Sequence, residues 1–307
     1  MNSVMLFIVV VALSFAFVAR AQTKCAAADE RYVKGITEAT VNKADRKGRT
    51  PLMEAAKAGN LCKVEGLLEK GAKVDEVDTE YTTALNEAAS NGHLEVVKKL
   101  IDNGAKLKVY DKKGYGAISY AAMRGDVAMA DFLIAHDGHH KHLNHPCIHG
   151  HTPLMLAADY NQGEMVDFLI SKGAKVNKFT HGGASGLMHA AGKGYTNIVR
   201  TLLENGASVN MHTMKKRHNA ILVAALGGFA ETIELLIENG ASQTFRDTEG
   251  KNALDYACEG NFKEAAEVLC KHGSNLQRHL DTYPKAKNVC TDKKFLEQYL
   301  KRAGDEM

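Results

Sequence analysis

The segment 136–151 carries the residue types of this chain that are best suited to metal chemistry. It holds seven of the 14 histidines, together with Cys147. His145, Cys147, His149 and His151 alternate along the segment, so an extended backbone would place these four donors on one face. Neutral imidazole and thiolate are good ligands for Zn²⁺ and copper. The candidate metal ligands are His139, His142, His145, Cys147 and His149.

Two other interpretations of the segment 136–151 stay open. Histidine changes its charge near neutral pH, so the same cluster would suit a pH sensor. The segment also contains extra residues that interrupt a regular spacing found along the rest of the chain. It would then be a long polar loop with no ligand at all.

That regular spacing comes from a short phrase that recurs seven times. Each copy of the phrase begins with a residue at a helix-cap position, and a Leu or Ile follows two residues later. A pair of small residues, usually Ala-Ala, comes a few residues after that. Its starts are Thr50, Thr83, Gly116, Thr152, Ser185, Asn219 and Asn252. Successive starts lie 33, 33, 36, 33, 34 and 33 residues apart. A period near 33 indicates a stacked array of repeats.

Each repeat predicts two helices followed by an extended polar finger. In the first repeat Thr50 is suited to cap a helix and Pro51 to occupy its first turn. Val64 and Leu67 have helical spacing in the second segment, and Gly71 is suited to end it. One such unit cannot bury its apolar face alone, so its stability must come from its neighbours.

The phrase resembles the ankyrin repeat family, whose signature T-P-L-H-x-A has this period. The resemblance covers residues 45–274, about three quarters of the chain. It implies an all-α solenoid of stacked helix-turn-helix units with β-turn fingers. The signature histidine is absent from all seven repeats. In the family that histidine hydrogen-bonds adjacent repeats, so the resemblance does not predict this polar tie here.

The resemblance also implies a binding face, which in this family is formed by the fingers and the ends of the first helices. Three of the fingers are basic, and Arg and Tyr are enriched at binding hot spots. We therefore expect a monomeric scaffold that binds an acidic protein partner, or else fingertips that are simply solvated loops. The candidate partner-binding residues are Arg46, Lys47, Arg49, Lys112, Lys113, Tyr115, His151, Tyr160, Lys215 and Lys216.

Six cysteines permit disulfides in an exported protein. Cys25 paired with Cys62 would hold the N-terminal segment to the first repeat, and Cys290 paired with Cys270 or Cys258 would hold the C-terminal one. Cys258 and Cys270 also stand where the repeat needs small buried side chains. The alternative is therefore that all six thiols are free.

The N-terminus reads as a secretory signal peptide. Residues 4–18 are apolar except for Ser14, and Ala19-Arg20-Ala21 has the form of a cleavage site. We expect a secreted or periplasmic protein without stable membrane insertion after cleavage; the alternative is an uncleaved anchor. The expected segments are a signal peptide at 1–21, a capping half-repeat at 22–44, the repeat array at 45–274 and a capping helix with a tail at 275–307.

Composition and motifs give no sign of catalysis or of nucleic-acid binding. The net charge of +3 lacks the strong basic excess of nucleic-acid-binding domains. The chain contains no phosphate-binding glycine loop, no H-E-x-x-H and no G-x-S-x-G. We therefore predict a non-catalytic scaffold without a cofactor, with metal binding (Zn or Cu) or pH sensing by segment 136–151 as the alternative function.

Overall fold

The computed structural model describes residues 25–138 and 142–272. These residues form 15 helices and no extended strand, which confirms the predicted all-α repeat solenoid. The expected signal peptide and C-terminal cap lie outside the described residues. Helix α1 comes first, and seven helix pairs follow. The bounds are α1 Ala27–Gly35, α2 Pro51–Lys57, α3 Leu61–Glu69, α4 Ala84–Asn91, α5 Leu94–Asp102, α6 Ala117–Arg124, α7 Val127–Ala135, α8 Pro153–Asp159, α9 Gly163–Ser171, α10 Gly186–Gly192, α11 Thr196–Glu204, α12 Ala220–Leu226, α13 Ala230–Glu238, α14 Ala253–Glu259 and α15 Lys263–Lys271.

The chain divides into two compact units between Lys112 and Lys113. The first unit contains α1 to α5 and the second contains α6 to α15. Across the two described ranges, no helix has the length and apolar character needed to span a lipid bilayer.

The residues at the recurring phrase cap the first helix of each pair. The Thr50 hydroxyl oxygen accepts a hydrogen bond from the Met53 amide at 3.3 Å, and the Asn252 side chain accepts one from Asp255 at 3.0 Å. Gly116 starts α6 without a side-chain cap. Each cap satisfies an amide that the helix itself leaves unpaired.

Small residues let the first helices of neighbouring repeats approach closely. In the second unit α8 packs against α6 on one side and α10 on the other. Its paired residues Ala157 and Ala158 are completely buried, and Leu154 is 2% exposed. The core of this unit therefore runs along the first helices, and the fingers project from their N-terminal ends.

A ladder of backbone hydrogen bonds joins successive fingers. In the first unit the Thr79 amide donates to the Lys47 carbonyl oxygen at 2.9 Å, and in the second the Ile148 amide donates to Lys113 at 3.0 Å. Asn86, at a signature-histidine position, donates through Nδ2 to the Val109 carbonyl oxygen at 3.2 Å. These bonds supply polar ties between repeats without the family's histidine.

The N-terminal helix α1 is held to the first repeat by a disulfide. Cys25 and Cys62 form a disulfide, with their Cα atoms 5.6 Å apart. This confirms one of the predicted pairings. No residue of α1 is buried, although α1 packs on α3. Val33 fits against Gly66, where an added Cβ would lie 2.5 Å from the Val33 Cγ1 atom. The disulfide therefore complements a small contact surface.

The second predicted pairing is corrected in part. Cys258 is disulfide-bonded, but Cys270 is a free thiol. Burial raises the pKa of the Cys270 thiol, which belongs to α15, to about 12. The prediction of a disulfide at Cys270 is therefore wrong, and Cys290 lies outside the described residues.

Candidate functional site

The predicted basic fingers of the first unit are partly neutralised by neighbouring carboxylates. Arg46 and Lys47 are exposed at the first fingertip. The Arg49 guanidinium pairs with Glu54, and its Nη1 atom lies 2.8 Å from Glu87 Oε1, so it ties the first repeat to the second. The Arg49 side chain is only 15% exposed. Arg49 therefore bonds two repeats, and its expected part in partner binding stays a prediction.

Lys112 is also paired. Its Nζ atom lies 3.0 Å from Glu80 Oε1 on the preceding finger of the same unit. Both side chains are exposed, so the attraction is screened by solvent, but the pair reduces the positive charge of this finger.

The extended backbone expected for the histidine-rich segment is not found. Cys147 begins a tight turn, in which its amide donates to the His151 carbonyl oxygen at 2.9 Å and the Gly150 amide donates to Cys147 at 2.8 Å. Cys147 is consequently buried, at 3% exposed, while His149 is exposed. The predicted extended backbone is therefore wrong, although two of the four alternating donors still meet, with Cys147 Sγ and His151 Nδ1 3.8 Å apart.

The other described candidate ligands do not join Cys147 in a cluster of three. His142 pairs with Asp137, whose Oδ1 atom lies 3.2 Å from His142 Nε2. The Nδ1 atom of His145 is buried. His139 lies outside the described residues. In the ranges that the structure covers, no three His, Cys, Asp or Glu side chains are grouped as a metal site requires.

A different histidine cluster lies between α8 and α10 in the second unit. The ring centroids of His151 and His189 are 5.0 Å apart. His189 Nδ1 and Lys193 Nζ lie 3.1 Å and 3.0 Å from the same oxygen, Asp159 Oδ1. Tyr160, a predicted contact residue, is 53% exposed beside this cluster, with the Lys193 Nζ atom 6.0 Å from its ring centre.

Burial keeps both histidines of this cluster neutral over a wider pH range. Burial lowers the pKa of His151, and the neighbouring His189 and His149 add to this effect. Burial also lowers the pKa of His189, although the Asp159 carboxylate opposes the shift. The His189 Nε2 atom is buried without a hydrogen-bond partner among the described residues. A proton at this atom would therefore have no acceptor.

Mild acid is expected to destabilise the second unit through these two histidines. Their folded pKa values are lowered, so below about pH 6.5 the unfolded chain takes up protons more readily than the folded one. Their contribution to stability is therefore present above that pH and is lost as the pH falls. Urea unfolding at pH 7.5, 6.5 and 5.5 should show a smaller decline for a His151→Asn/His189→Gln variant than for the wild type. Parallel declines in the two proteins, with a variant of the exposed His181, His181→Asn, as control, would contradict this.

A second polar cluster joins the sixth and seventh repeats. The Tyr256 hydroxyl donates to Asp247, and His218 Nε2 lies 3.6 Å from Asp247 Oδ2 and 3.3 Å from the Tyr256 oxygen. Burial opposes ionisation of Asp247, but hydrogen bonds from Tyr256, Lys251 and Glu249 keep its pKa below the usual value. The three side chains satisfy one another, so the cluster positions the seventh finger against its neighbour.

A groove of about 470 Å³ opens between α10 and α12. Met188, Val223 and Leu226 form its apolar walls, His189 and Lys193 lie at one end, and Thr213 and His218 come from the finger. Two small residues, Ala184 and Gly192, make the space.

A family model described as "Ankyrin repeats (3 copies)" matches residues 24–111, 85–180 and 183–279. These matches cover far more than half of the chain. The chain belongs to the ankyrin repeat family. Within this family the repeats are protein–protein interaction modules and are typically non-catalytic, so this ankyrin protein is an interaction scaffold for protein partners.

Solved ankyrin structures share the fold of this chain. The ankyrin repeat domain of human ASB11 is 25% identical, with a TM-score of 0.64, and the match covers 74% of this chain and 99% of that one. The ankyrin repeat domain of Bcl-3, described as a unique member of the IkappaB protein family, is 24% identical, with a TM-score of 0.62 over 73% of this chain and 99% of that one. At that identity the second match shows the fold alone.

A curated relative matches over a shorter stretch. The B-cell lymphoma 3 protein homolog of Mus musculus is 39% identical over 70 residues, which are 23% of this chain. The matched stretch spans 15% of the length of that relative. The similarity therefore covers only a small part of the mouse protein.

Proposed function

We propose that this ankyrin protein acts outside the cytoplasm as a non-catalytic scaffold that binds an acidic protein partner through the fingers and first helices of its second unit. The observation that carries the proposal is the run Lys215-Lys216-Arg217 at the tip of the sixth finger. All three residues are exposed, and no carboxylate of the described chain forms an ion pair with them. Their charge is thus available to a partner, in contrast to that of Arg49 and Lys112.

The backbone of this finger holds the three cations apart from the core. Thr213 and His218 close the finger, with the Thr213 amide donating to the His218 carbonyl oxygen at 2.8 Å and the His218 amide donating to Thr213 Oγ1 at 3.0 Å. The finger contains the extra residue that gives the spacing of 34. Arg217 adopts φ 54° and lies 5.3 Å over the Phe245 ring. The tip is therefore a defined turn that presents a local positive charge.

Two features support action outside the cytoplasm. Cys25 and Cys62 form a disulfide, and Cys258 is disulfide-bonded as well. Disulfides persist in oxidising compartments and are rare in the reducing cytosol. The apolar run and cleavage motif at residues 1–21 have the form of an export signal. A fusion of residues 1–21 to a reporter enzyme that is active only after export would test this half of the proposal.

Charge reversal at the sixth fingertip is expected to slow association with the partner. A partner captured from the extracytoplasmic fraction should bind a Lys215→Glu/Lys216→Glu variant at least about tenfold more slowly at low salt, because electrostatic steering acts mainly on the association rate. The difference should shrink as salt is added. Stopped-flow or surface-plasmon kinetics would measure both effects.

The matched control is Arg200→Glu/Lys263→Glu. Both side chains are exposed on second helices of the second unit, α11 and α15, and the variant changes the net charge by the same amount. Equal association rates for the two variants would show that net charge, and not the fingertip, governs the encounter.

A further inference from the structure

The groove between α10 and α12 arises because the fifth repeat carries small residues where its neighbours carry large ones. Ala184 precedes its helix cap, at the position of His151 and His218 in the adjoining repeats. Gly192 lies seven residues after the cap, at the position of Asp159 and Leu226. A Cβ added at Gly192 would lie 3.5 Å from Val223 Cβ, which is an ordinary contact. A side chain at residue 192 would therefore fit into the space, and packing does not require a glycine there.

The walls of the groove suit an apolar side chain. Leu226 is 52% exposed here although it is a large hydrophobic residue, and Met188 and Val223 line the same space. Removing such surface from water favours an apolar occupant. A volume of about 470 Å³ has room for one large aliphatic side chain and adjoining backbone of an inserted segment.

The charges around the groove are mainly positive. Lys215, Lys216 and Arg217 stand between Thr213 and His218, the two finger residues that line the groove. Lys193 at the other end is 44% exposed and shares Asp159 with His189, so the one carboxylate that lines the groove is already engaged. An acidic segment would therefore meet complementary charge on the fingertip side of the apolar pocket.

We propose that this groove receives one large apolar side chain from an acidic segment of the protein partner. The apolar side chain would act as an anchor in a desolvated pocket, and the flanking Asp and Glu residues would pair with Lys215, Lys216 and Arg217 at the fingertip. The inference rests on the proposed function, because it specifies the partner that the scaffold binds.

The test uses the full chain and a display library of random 12-residue peptides. We expect the selected peptides to carry one large aliphatic residue among Asp and Glu, and their Kd to rise at least tenfold on Gly192→Leu, which copies Leu226 at the equivalent position. Ala184→His, which copies His151 and His218, is a second way to fill the groove. Ser90→Leu adds the same side chain at the equivalent position of the first unit and should leave the Kd unchanged. Circular dichroism and melting would confirm that each variant is folded.

Three outcomes would overturn the inference: selection of neutral or basic peptides, equal binding by the filled and open groove, or no enrichment. The proposed function fails separately. If a captured protein partner binds the Gly192→Leu variant as it binds the wild type, but does not bind the Lys215→Glu/Lys216→Glu variant, the groove inference is contradicted. The scaffold function is then still supported. A chain that captures no protein partner would contradict the function itself.

Discussion

Replacing Leu154 by alanine is expected to lower the free energy of unfolding by about 2–5 kcal/mol, the range for truncation of a buried leucine. Leu154 is 2% exposed on α8, between the alanine-rich helices of its neighbours. A cavity at this position would remove packing contacts with the repeats on both sides. Because each repeat of a solenoid is stabilised mainly by its neighbours, the loss should spread beyond the fourth repeat.

Leu226→Ala is the matched control for this prediction. It removes the same atoms from a side chain that is 52% exposed, so we expect a change within about 0.5 kcal/mol. Urea unfolding followed by circular dichroism would compare the two variants. Similar midpoints for Leu154→Ala and the wild type would show that the register of the repeats is wrong.

Removal of the Cys25–Cys62 disulfide is expected to release α1. The crosslink joins residues 37 positions apart, and disulfides typically contribute about 2–4 kcal/mol. Since α1 has no buried residue, its remaining contacts with α3 and the ion pair of Asp29 with Lys63 at 3.1 Å should hold it only weakly. Hydrogen exchange should therefore become fast in α1 of a Cys25→Ser/Cys62→Ser variant while α2 and α4 stay protected.

A reductant separates this effect from any cost of the serine substitutions. Reduction of the wild type should reproduce the fast exchange of α1, and the double variant should show no further change in α1. Equal protection of α1 in oxidised, reduced and substituted proteins would mean that packing alone holds this helix.

The repeat period was sufficient to predict the helices and their caps. Thr50, Thr152 and Asn252 cap helices where the recurring phrase places them. This succeeded because a cap and an apolar helix face depend on residues close together in the sequence. The same local logic predicted a segment before the first repeat, which forms α1.

The binding chemistry was harder to predict because it depends on residues one repeat apart. Glu87 pairs with Arg49 across 38 residues, and His189 approaches Asp159 across 30. The period contains a usable signal, since Glu54, Glu87, His189 and Tyr256 all lie four residues after a helix cap. These positions were not compared between repeats, so His189 and the groove were missed.

The extended backbone expected for the histidine-rich segment was not found, for a reason that the repeat alignment already contains. Cys147 stands where other fingers carry Asp45, Asp78 and Asp247, each of which accepts hydrogen bonds within a turn. The same turn therefore recurs at this position of several fingers, and in the fourth finger Cys147 is buried within it. The prediction of an extended segment did not take into account that Cys147 is equivalent to these aspartates.

Hydrogen exchange with and without the captured protein partner would locate the binding face. We expect slower exchange at residues 213–218 and at α10 and α12 when the partner is added. The second helices α9, α11 and α13 should be unaffected. Protection confined to those second helices, with residues 213–218 unchanged, would contradict binding through the fingers and first helices.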